Sequence, residues 1–269
     1  MRYERLGRLE IPKVGFGTWS IGGGSSPNRR KDDWSLASLR SALELGYTHF
    51  DTAESYAAGH CEELLGRAVR ESGTDRARLF ITSKVKPENL TPDRVTKACE
   101  RSLRRLRTEY LDLYLIHWPN PGLSLGGAFE ALNRLVRSGK VKHLGVSNFD
   151  LQLLQQSVGL SETGILTDQV PYSVMERSYA ANGVVGYCQA NGILVTAYSP
   201  LEQGGLRASQ PLAGIAQARS LTVQQAAIAW LCSQPRVITI PMSGDPLHQR
   251  ENLAAADVML LANELELPG

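Results

Sequence analysis

Four ionisable side chains stand at or just beyond the ends of three short apolar runs. They are, in chain order, Asp51, Tyr56, Lys84 and His117. The runs span residues 47–52, 79–84 and 111–117. Short apolar runs of this length, bounded by turn residues, indicate buried strands. Because the carboxyl ends of parallel strands meet at one end of a sheet or barrel, we expect the four side chains to share a site.

This set of groups suits the protonation of an oxygen. A free tyrosine has a pKa of about 10 and is a poor acid at neutral pH, but a nearby cation such as Lys84 lowers that pKa by stabilising the phenolate. Asp51 would compensate the buried ammonium, and His117 could donate a hydrogen bond to a substrate carbonyl oxygen. No side chain carries a hydride, so reduction of the carbonyl would require a nicotinamide.

Each of the four residues also has a purely structural interpretation. Tyr56 alone suits a core position, and Asp51 alone suits a capping position. Lys84 alone suits a solvent-exposed strand end, and His117 alone suits a core histidine whose hydrogen bonds are satisfied. The catalytic interpretation depends on the four together, in this order and at successive strand ends.

Strand and helix patterns alternate along the chain. Apolar runs of strand type lie at 14–18, 47–52, 79–84, 111–117, 141–148, 165–170, 193–199 and 237–241. Helical patterns cover 32–45, 62–70 and 180–191, and two more begin at Pro92 and after Asp150. Residues 1–13 predict a short hairpin, and Asp32 or Asp33 is expected to cap the first helix. The alternation predicts an α/β fold, a single (β/α)8 TIM barrel with an N-terminal hairpin, in one domain over residues 1–269.

The helix that begins at Pro92 has a buried stripe and a charged face. Proline is favoured at the first position of a helix, which supports this start. The stripe consists of Val95, Cys99, Leu103 and Leu106. The arginines are expected to form a solvated outer face rather than a binding patch. They are Arg101, Arg104, Arg105 and Arg107.

The composition argues against several classes of protein. With 42% hydrophobic residues, 21% charged residues and a formal net charge of +2, the chain gives no reason to expect nucleic acid or an anionic membrane as a partner. The N-terminus lacks the apolar segment of a secretory signal, and no run approaches the roughly 20 apolar residues of a membrane span. The four cysteines lack metal-ligand spacing, so we expect no metal site and buried, reduced thiols in a cytoplasmic protein.

With these residues in this order, the chain resembles the aldo-keto reductase family over essentially its whole length. The resemblance rests on residues 15–19, 50–53 with Tyr56, 82–84, 112–119, 145–149, 168–169, 197–201 and 250–253. It implies a catalytic tetrad with Tyr56 as the general acid. It also implies NADPH-dependent reduction of aldehydes or ketones to alcohols. The alternative is a nicotinamide-binding regulatory protein, because channel-associated subunits of the family keep the same tetrad.

The resemblance also implies how a nicotinamide cofactor would be held. The carboxamide would contact Ser147, Asn148 and Gln169, and Tyr198 would stack on the ring. The pyrophosphate would lie along Ser199, Leu201 and Gln203. The adenosine end would be surrounded by Ser243, Arg250, Glu251 and Asn252.

This chain departs from the family pattern at the adenosine end and around the substrate. Met242 and His248 stand where members that discriminate strongly for the phosphate have a lysine and an arginine, which leaves Arg250 as the fixed cation. We therefore expect NADPH by a modest margin, with NADH as the alternative. The short segment at 120–124 predicts an open pocket between Trp19, Tyr56 and Trp118, suited to flat or aromatic carbonyl substrates. We expect a monomer.

Overall fold

The computed structural model describes residues 1–206 and 210–266, and its main feature is a closed barrel of eight parallel strands. The strands are β3 (Phe16–Gly17), β4 (His49–Asp51), β5 (Phe80–Val85), β6 (Leu111–Ile116), β7 (Val141–Ser147), β8 (Thr167–Pro171), β9 (Leu194–Tyr198) and β10 (Val237–Thr239). Neighbours pair in chain order, and the barrel closes where Val14 bridges Thr239 in parallel. The eight predicted strands and the TIM-barrel architecture are confirmed.

The helices α1 to α9 lie between successive strands, as crossover connections in a barrel require, and α10 and α11 follow the last strand. They are α1 (Asp32–Glu44), α2 (His60–Ser72), α3 (Pro92–Leu106), α4 (Leu125–Arg137), α5 (Leu151–Leu160), α6 (Ser178–Ala181), α7 (Val184–Ala190), α8 (Gln210–Ala218), α9 (Val223–Ser233), α10 (Pro246–Ala255) and α11 (Ala262–Leu265). Pro92 is the first residue of α3, and the predicted stripe of that helix is buried. Asp150 caps α5 by accepting a hydrogen bond from Leu153 N.

The predicted N-terminal hairpin covers the amino-terminal end of the barrel. It consists of β1 (Tyr3–Leu6) and β2 (Leu9–Pro12), paired antiparallel. Ile11 packs with Leu113 and Leu115 in a cluster inside the barrel, separate from the larger core between strands and helices. Apolar side chains therefore fill the amino-terminal end of the barrel. A site can form at the opposite end, where the carboxyl ends of the strands lie.

Three expectations about the helices need correction. Asp32 does not cap α1: it is the first helical residue, and its carboxylate lies 2.8 Å from His60 Nε2. The single helix expected at 180–191 is instead α6 and α7, separated by Gly183 with φ of 90°. Arg105 does not face the solvent but pairs with the fully buried Glu62, because a carboxylate without access to water requires a compensating partner.

Two of the compositional predictions can be compared with the structure. All four cysteines are free and buried, as expected. Within the ranges 1–206 and 210–266, no helix is both long enough and apolar enough to cross a membrane.

Candidate active site

The carboxyl ends of the barrel strands open into one cleft with a volume of about 1230 Å³. Asp51, Tyr56 and His117 line it, so three of the four predicted catalytic residues lie at its surface. Lys84, the fourth, is fully buried on β5 and reaches Tyr56 from the interior of the barrel. The four side chains come from three adjacent strands, β4, β5 and β6, as their positions in the sequence predict.

The Lys84 ammonium uses all three of its N–H donors. It donates to Asp51 Oδ1 at 2.5 Å, to the Thr52 carbonyl oxygen at 2.9 Å and to Tyr56 Oη at 3.2 Å. Asp51 Oδ2 accepts a further hydrogen bond from Gln169 Nε2 at 2.8 Å. A buried ion pair is tolerated when its remaining hydrogen-bonding positions are filled in this way. The chain of contacts from Gln169 to Tyr56 therefore holds one charged lysine directly beside one phenol.

The pKa values of Lys84 and Tyr56 are both shifted upwards. Burial lowers the pKa of Lys84, but the Asp51 carboxylate and the Tyr56 hydroxyl raise it more, so the lysine remains charged. Burial raises the pKa of Tyr56, and the opposing effect of Lys84 does not cancel it. Lys84 thus lowers the pKa of Tyr56, as expected, but burial raises that pKa by more. Tyr56 consequently keeps its proton at neutral pH and has one to donate.

His117 is neutral and is oriented by its neighbours. Burial, and then the charge of Lys84, lower the pKa of His117 to about 3. Its Nδ1 lies 3.1 Å from Ser55 Oγ, and its ring meets the Tyr56 ring edge-on with centroids 5.6 Å apart. In the tautomer whose Nδ1 accepts from the Ser55 hydroxyl, the single proton of the neutral imidazole lies on Nε2 and is available to an oxygen in the cleft.

The predicted carboxamide-binding residues form one hydrogen-bonded wall of the cleft. Asn148 Nδ2 donates to Ser147 Oγ at 2.9 Å and to the His117 carbonyl oxygen at 3.1 Å, and Tyr198 Oη donates to Asn148 Oδ1 at 2.8 Å. Ser147 Oγ in turn donates to the Gln169 carbonyl oxygen at 2.8 Å. These bonds hold the Asn148 amide rigidly and leave the half-buried Tyr198 ring at the surface of the cleft.

The outer half of the cleft contains the other predicted cofactor residues, with one exception. The residues that line it are Ser199, Leu201, Gln203, Ser243, Glu251 and Asn252. Arg250 is exposed on α10 and is not part of the lining, whereas His248 is. Met242 also lines this half, and its sulfur accepts a hydrogen bond from Ser20 Oγ at 3.2 Å. The described lining at this end therefore contains a histidine rather than a fixed cation.

Trp19 and Trp118 line the cleft as predicted, and each is 48% exposed. The Trp19 ring packs edge-on against Tyr56, with centroids 5.0 Å apart. Indole rings that are half exposed beside a catalytic phenol leave apolar surface for a substrate to cover. The opening next to Tyr56 is therefore flanked by two large aromatic side chains.

The model of the Aldo/keto reductase family matches residues 13–266. The chain belongs to this family. It is 37% identical over 269 residues to the methylglyoxal reductase YeaE of Escherichia coli K12, which covers 97% of this chain and 91% of that protein. The crystal structure of the thermostable aldo-keto reductase Tm1743 with the inhibitor epalrestat superposes with a TM-score of 0.94 at 42% identity, covering 99% of this chain and 98% of that one.

A second aldo-keto reductase structure, from Klebsiella pneumoniae in complex with NADP and acetate, gives a TM-score of 0.87 at 36% identity and covers 98% of this chain and 93% of that one. The predicted family, fold class and enzyme class are confirmed, and this aldo-keto reductase is an oxidoreductase that reduces carbonyl groups. The regulatory alternative receives no support from these relatives.

Two residues of this aldo-keto reductase were not singled out from the sequence. Ser55 contacts His117, and Glu54 accepts hydrogen bonds from Lys86 N at 2.9 Å and Asn89 Nδ2 at 2.8 Å. Arg101 Nη2 also reaches Glu54 Oε2 at 3.4 Å and is thus not part of a purely solvated face. The sequence signal that could have identified Ser55 and Glu54 is their position immediately before Tyr56, because all three residues lie in the segment that follows β4.

Proposed function

We propose that this aldo-keto reductase uses NADPH to reduce small aldehydes, with Tyr56 as the general acid. The observation that carries the proposal is the hydrogen-bond chain Gln169–Asp51–Lys84–Tyr56 at the floor of the cleft. Bound NADPH would supply the hydride. The protein's own residues then have to supply a proton, orient the substrate carbonyl and stabilise the negative charge that develops on the carbonyl oxygen.

The proton comes from Tyr56 because Lys84 occupies the other side of the phenol oxygen. Tyr56 Oη accepts from Lys84, so its own O–H is free to point towards a substrate oxygen. As that proton leaves, the negative charge that forms on the phenol oxygen lies beside the buried Lys84 ammonium, and this positive charge stabilises the phenolate. His117 Nε2–H donates to the same substrate oxygen and stabilises its negative charge in the transition state.

The cofactor would lie along the wall formed by β7, β8 and β9. Ser147, Asn148 and Gln169 would hold the carboxamide, and the half-buried Tyr198 ring would stack on the nicotinamide. The rest of the cofactor would follow Ser199, Leu201 and Gln203 towards Ser243, Arg250, Glu251 and Asn252. Support comes from the rigid amide wall and from the continuous cleft that joins all of these residues except Arg250 to Tyr56. Gln169 Oε1 would be an acceptor for the carboxamide, since Gln169 Nε2 donates to Asp51.

Small 2-oxoaldehydes and aromatic aldehydes are two classes of substrate that this cleft fits. The Escherichia coli relative is a methylglyoxal reductase, which supports the first class. Trp19 and Trp118 stand half exposed beside Tyr56, which supports the second, because flat rings can stack on or pack against indole. An opening flanked by two apolar indole rings discriminates weakly among molecules that differ in their hydrophobic part.

We further infer a monomeric, cytoplasmic enzyme of one domain over residues 1–269. The barrel closes within one chain through Val14 and Thr239, and the cleft is lined from that same chain, so the site is complete without a second copy. One continuous core extends from Val14 to Leu260 across the described residues, which supports a single domain. The free, buried cysteines suit a reducing compartment.

The decisive experiment is Tyr56→Phe, with Tyr3→Phe on the exposed hairpin as the matched control. General acid catalysis contributes about 10²–10⁴-fold, so the turnover of methylglyoxal and benzaldehyde should fall by that factor in Tyr56→Phe and stay at the wild-type level in Tyr3→Phe. Quenching of intrinsic fluorescence by NADPH, measured on the same preparations, should be nearly unchanged in both variants. Near-wild-type turnover by Tyr56→Phe would remove Tyr56 from the mechanism.

A further inference from the structure

Lys86 is a half-buried lysine that lines the cleft two residues beyond the catalytic Lys84. Side chains at i and i+2 of an extended chain point to the same face. The backbone at Lys86 is still extended, with φ of −73° and ψ of 154°, so the alternation of β5 continues past the end of the strand. Two residues of strand advance by about 6.6 Å, which places Lys86 above the catalytic floor on the same inner face as Lys84.

The backbone around Lys86 is anchored on both sides. Glu54 Oε1 accepts from Lys86 N at 2.9 Å and from Asn89 Nδ2 at 2.8 Å. Asn120 Nδ2 donates to the Pro87 carbonyl oxygen at 3.0 Å and ties the segment to the loop after β6. These three hydrogen bonds fix the backbone from which the Lys86 side chain extends.

The charge of Lys86 is not compensated by an ion pair within the described part of the chain. The Glu54 carboxylate accepts from the backbone N–H of Lys86 and is also engaged by Asn89 and Arg101. Glu88 also lines the cleft and is itself exposed to solvent. Among the described lining residues Lys86 is the one lysine, and no arginine is present.

The position of Lys86 assigns it to the substrate rather than to the cofactor. It follows β5, on the side of the cleft that holds Tyr56 and Trp118. The proposed cofactor wall begins at β7 and continues through β10 to α10. A lysine that lines the cleft on this side is placed to meet the part of a substrate that extends away from its carbonyl group.

We propose that Lys86 binds a carboxylate of the substrate, so that the preferred substrates are aldehydes that carry a carboxylate a few carbon atoms from the carbonyl. This inference rests on the proposed function. The reaction is the same reduction: the carbonyl carbon receives the hydride, the carbonyl oxygen receives the Tyr56 proton, and the carboxylate is unchanged. Such a substrate spans the cleft from the Tyr56–His117 pair to Lys86. Its carboxylate would then form the ion pair with the Lys86 ammonium.

The test compares 4-carboxybenzaldehyde with 4-formylbenzamide, a neutral aldehyde of nearly the same size and shape. A hydrogen bond to a charged group contributes about 1.5–3 kcal/mol, so wild-type kcat/KM should favour the carboxylate by about 10–150-fold. The ratio should decrease as the salt concentration rises, because salt screens a partly exposed ion pair. In Lys86→Met it should fall to about one through a higher KM for the carboxylate, and Lys86→Arg should keep most of it.

The matched control is Lys97→Met, which removes an exposed lysine of α3 that is paired with Asp93 outside the cleft. Its ratio should equal that of the wild type, and thermal melting of every variant verifies folding. A wild-type ratio near one, or a ratio that survives Lys86→Met, would overturn the inference while leaving the proposed function intact. Failure of the wild type to reduce either aldehyde with NADPH would refute the proposed function and this inference with it.

Discussion

Replacement of Asp51 by asparagine should destabilise the protein and inactivate it at the same time. Asp51 Oδ1 accepts from Lys84, and Oδ2 accepts from Gln169. An amide has only one acceptor oxygen, so in either orientation of the substituted side chain its NH2 group would face another donor. The side chains of Lys84 and Asp51 are 0% and 2% exposed, so the lysine left behind has no water to compensate its charge.

The size of the effect follows from this burial. Removing one partner of a buried ion pair costs about 3–5 kcal/mol, and we expect the free energy of unfolding of Asp51→Asn to fall by that amount. Lys84→Met should cost a similar amount, because it leaves the carboxylate without its cation. The double variant removes both charges, so its loss should be smaller than the sum of the single losses by about 2–3 kcal/mol. Turnover should nevertheless fall by about 10²-fold or more in all three, since Tyr56 loses its charged neighbour.

Urea unfolding curves at pH 7 and steady-state kinetics measure these quantities on the same preparations. The exposed pair Lys97–Asp93, at 2.7 Å with side chains 63% and 75% exposed, provides the matched control. Asp93→Asn, Lys97→Met and their double variant should each change the unfolding free energy by less than about 0.5 kcal/mol and leave turnover intact. A loss below about 1 kcal/mol for Asp51→Asn, or strictly additive losses in the cycle, would refute the coupling inferred here.

Two further predictions concern the cofactor and the pH dependence of stability. His248→Gln should raise the KM for NADPH about tenfold and leave the KM for NADH nearly unchanged. Arg250→Ala should have a smaller effect on the KM for NADPH, because of these two residues only His248 lines the cleft. Equal effects of His248→Gln on the KM values of both cofactors would contradict this prediction. Burial lowers the pKa of His60, but hydrogen bonds to Glu63 and Asp32 raise it more, so its net pKa is above the ordinary value. The folded chain then binds the extra proton, and the resulting stabilisation is complete below about pH 6.5 and lost as the pH rises through the raised pKa. Urea unfolding should show the wild type losing stability relative to His60→Gln over that rise, and parallel pH profiles would exclude the two carboxylate contacts as the cause.

The sequence by itself determined the order of the elements and the strand ends that carry the chemistry. Apolar runs, the proline at the start of α3 and the cap at Asp150 are local signals, because strand and helix periodicity and capping depend on residues within a few positions of one another. These signals, with the family resemblance, predicted the barrel, the hairpin and a common site for Asp51, Tyr56, Lys84 and His117. No bounds were predicted for the helix at 125–137 or for those after residue 209, and the helix at 180–191 was predicted as one because a single glycine is a weak break signal.

Only the tertiary structure decided which partner each polar group has. Asp51 divides its oxygens between Lys84 and Gln169, residues 33 and 118 positions away, and no local pattern encodes that choice. Arg105 faces inward because Glu62 is buried, and a helical pattern does not show what lies opposite a charged face. The upward shift of the Tyr56 pKa has the same origin: desolvation depends on how much of the fold surrounds a group, which the identity of its sequence neighbours does not specify.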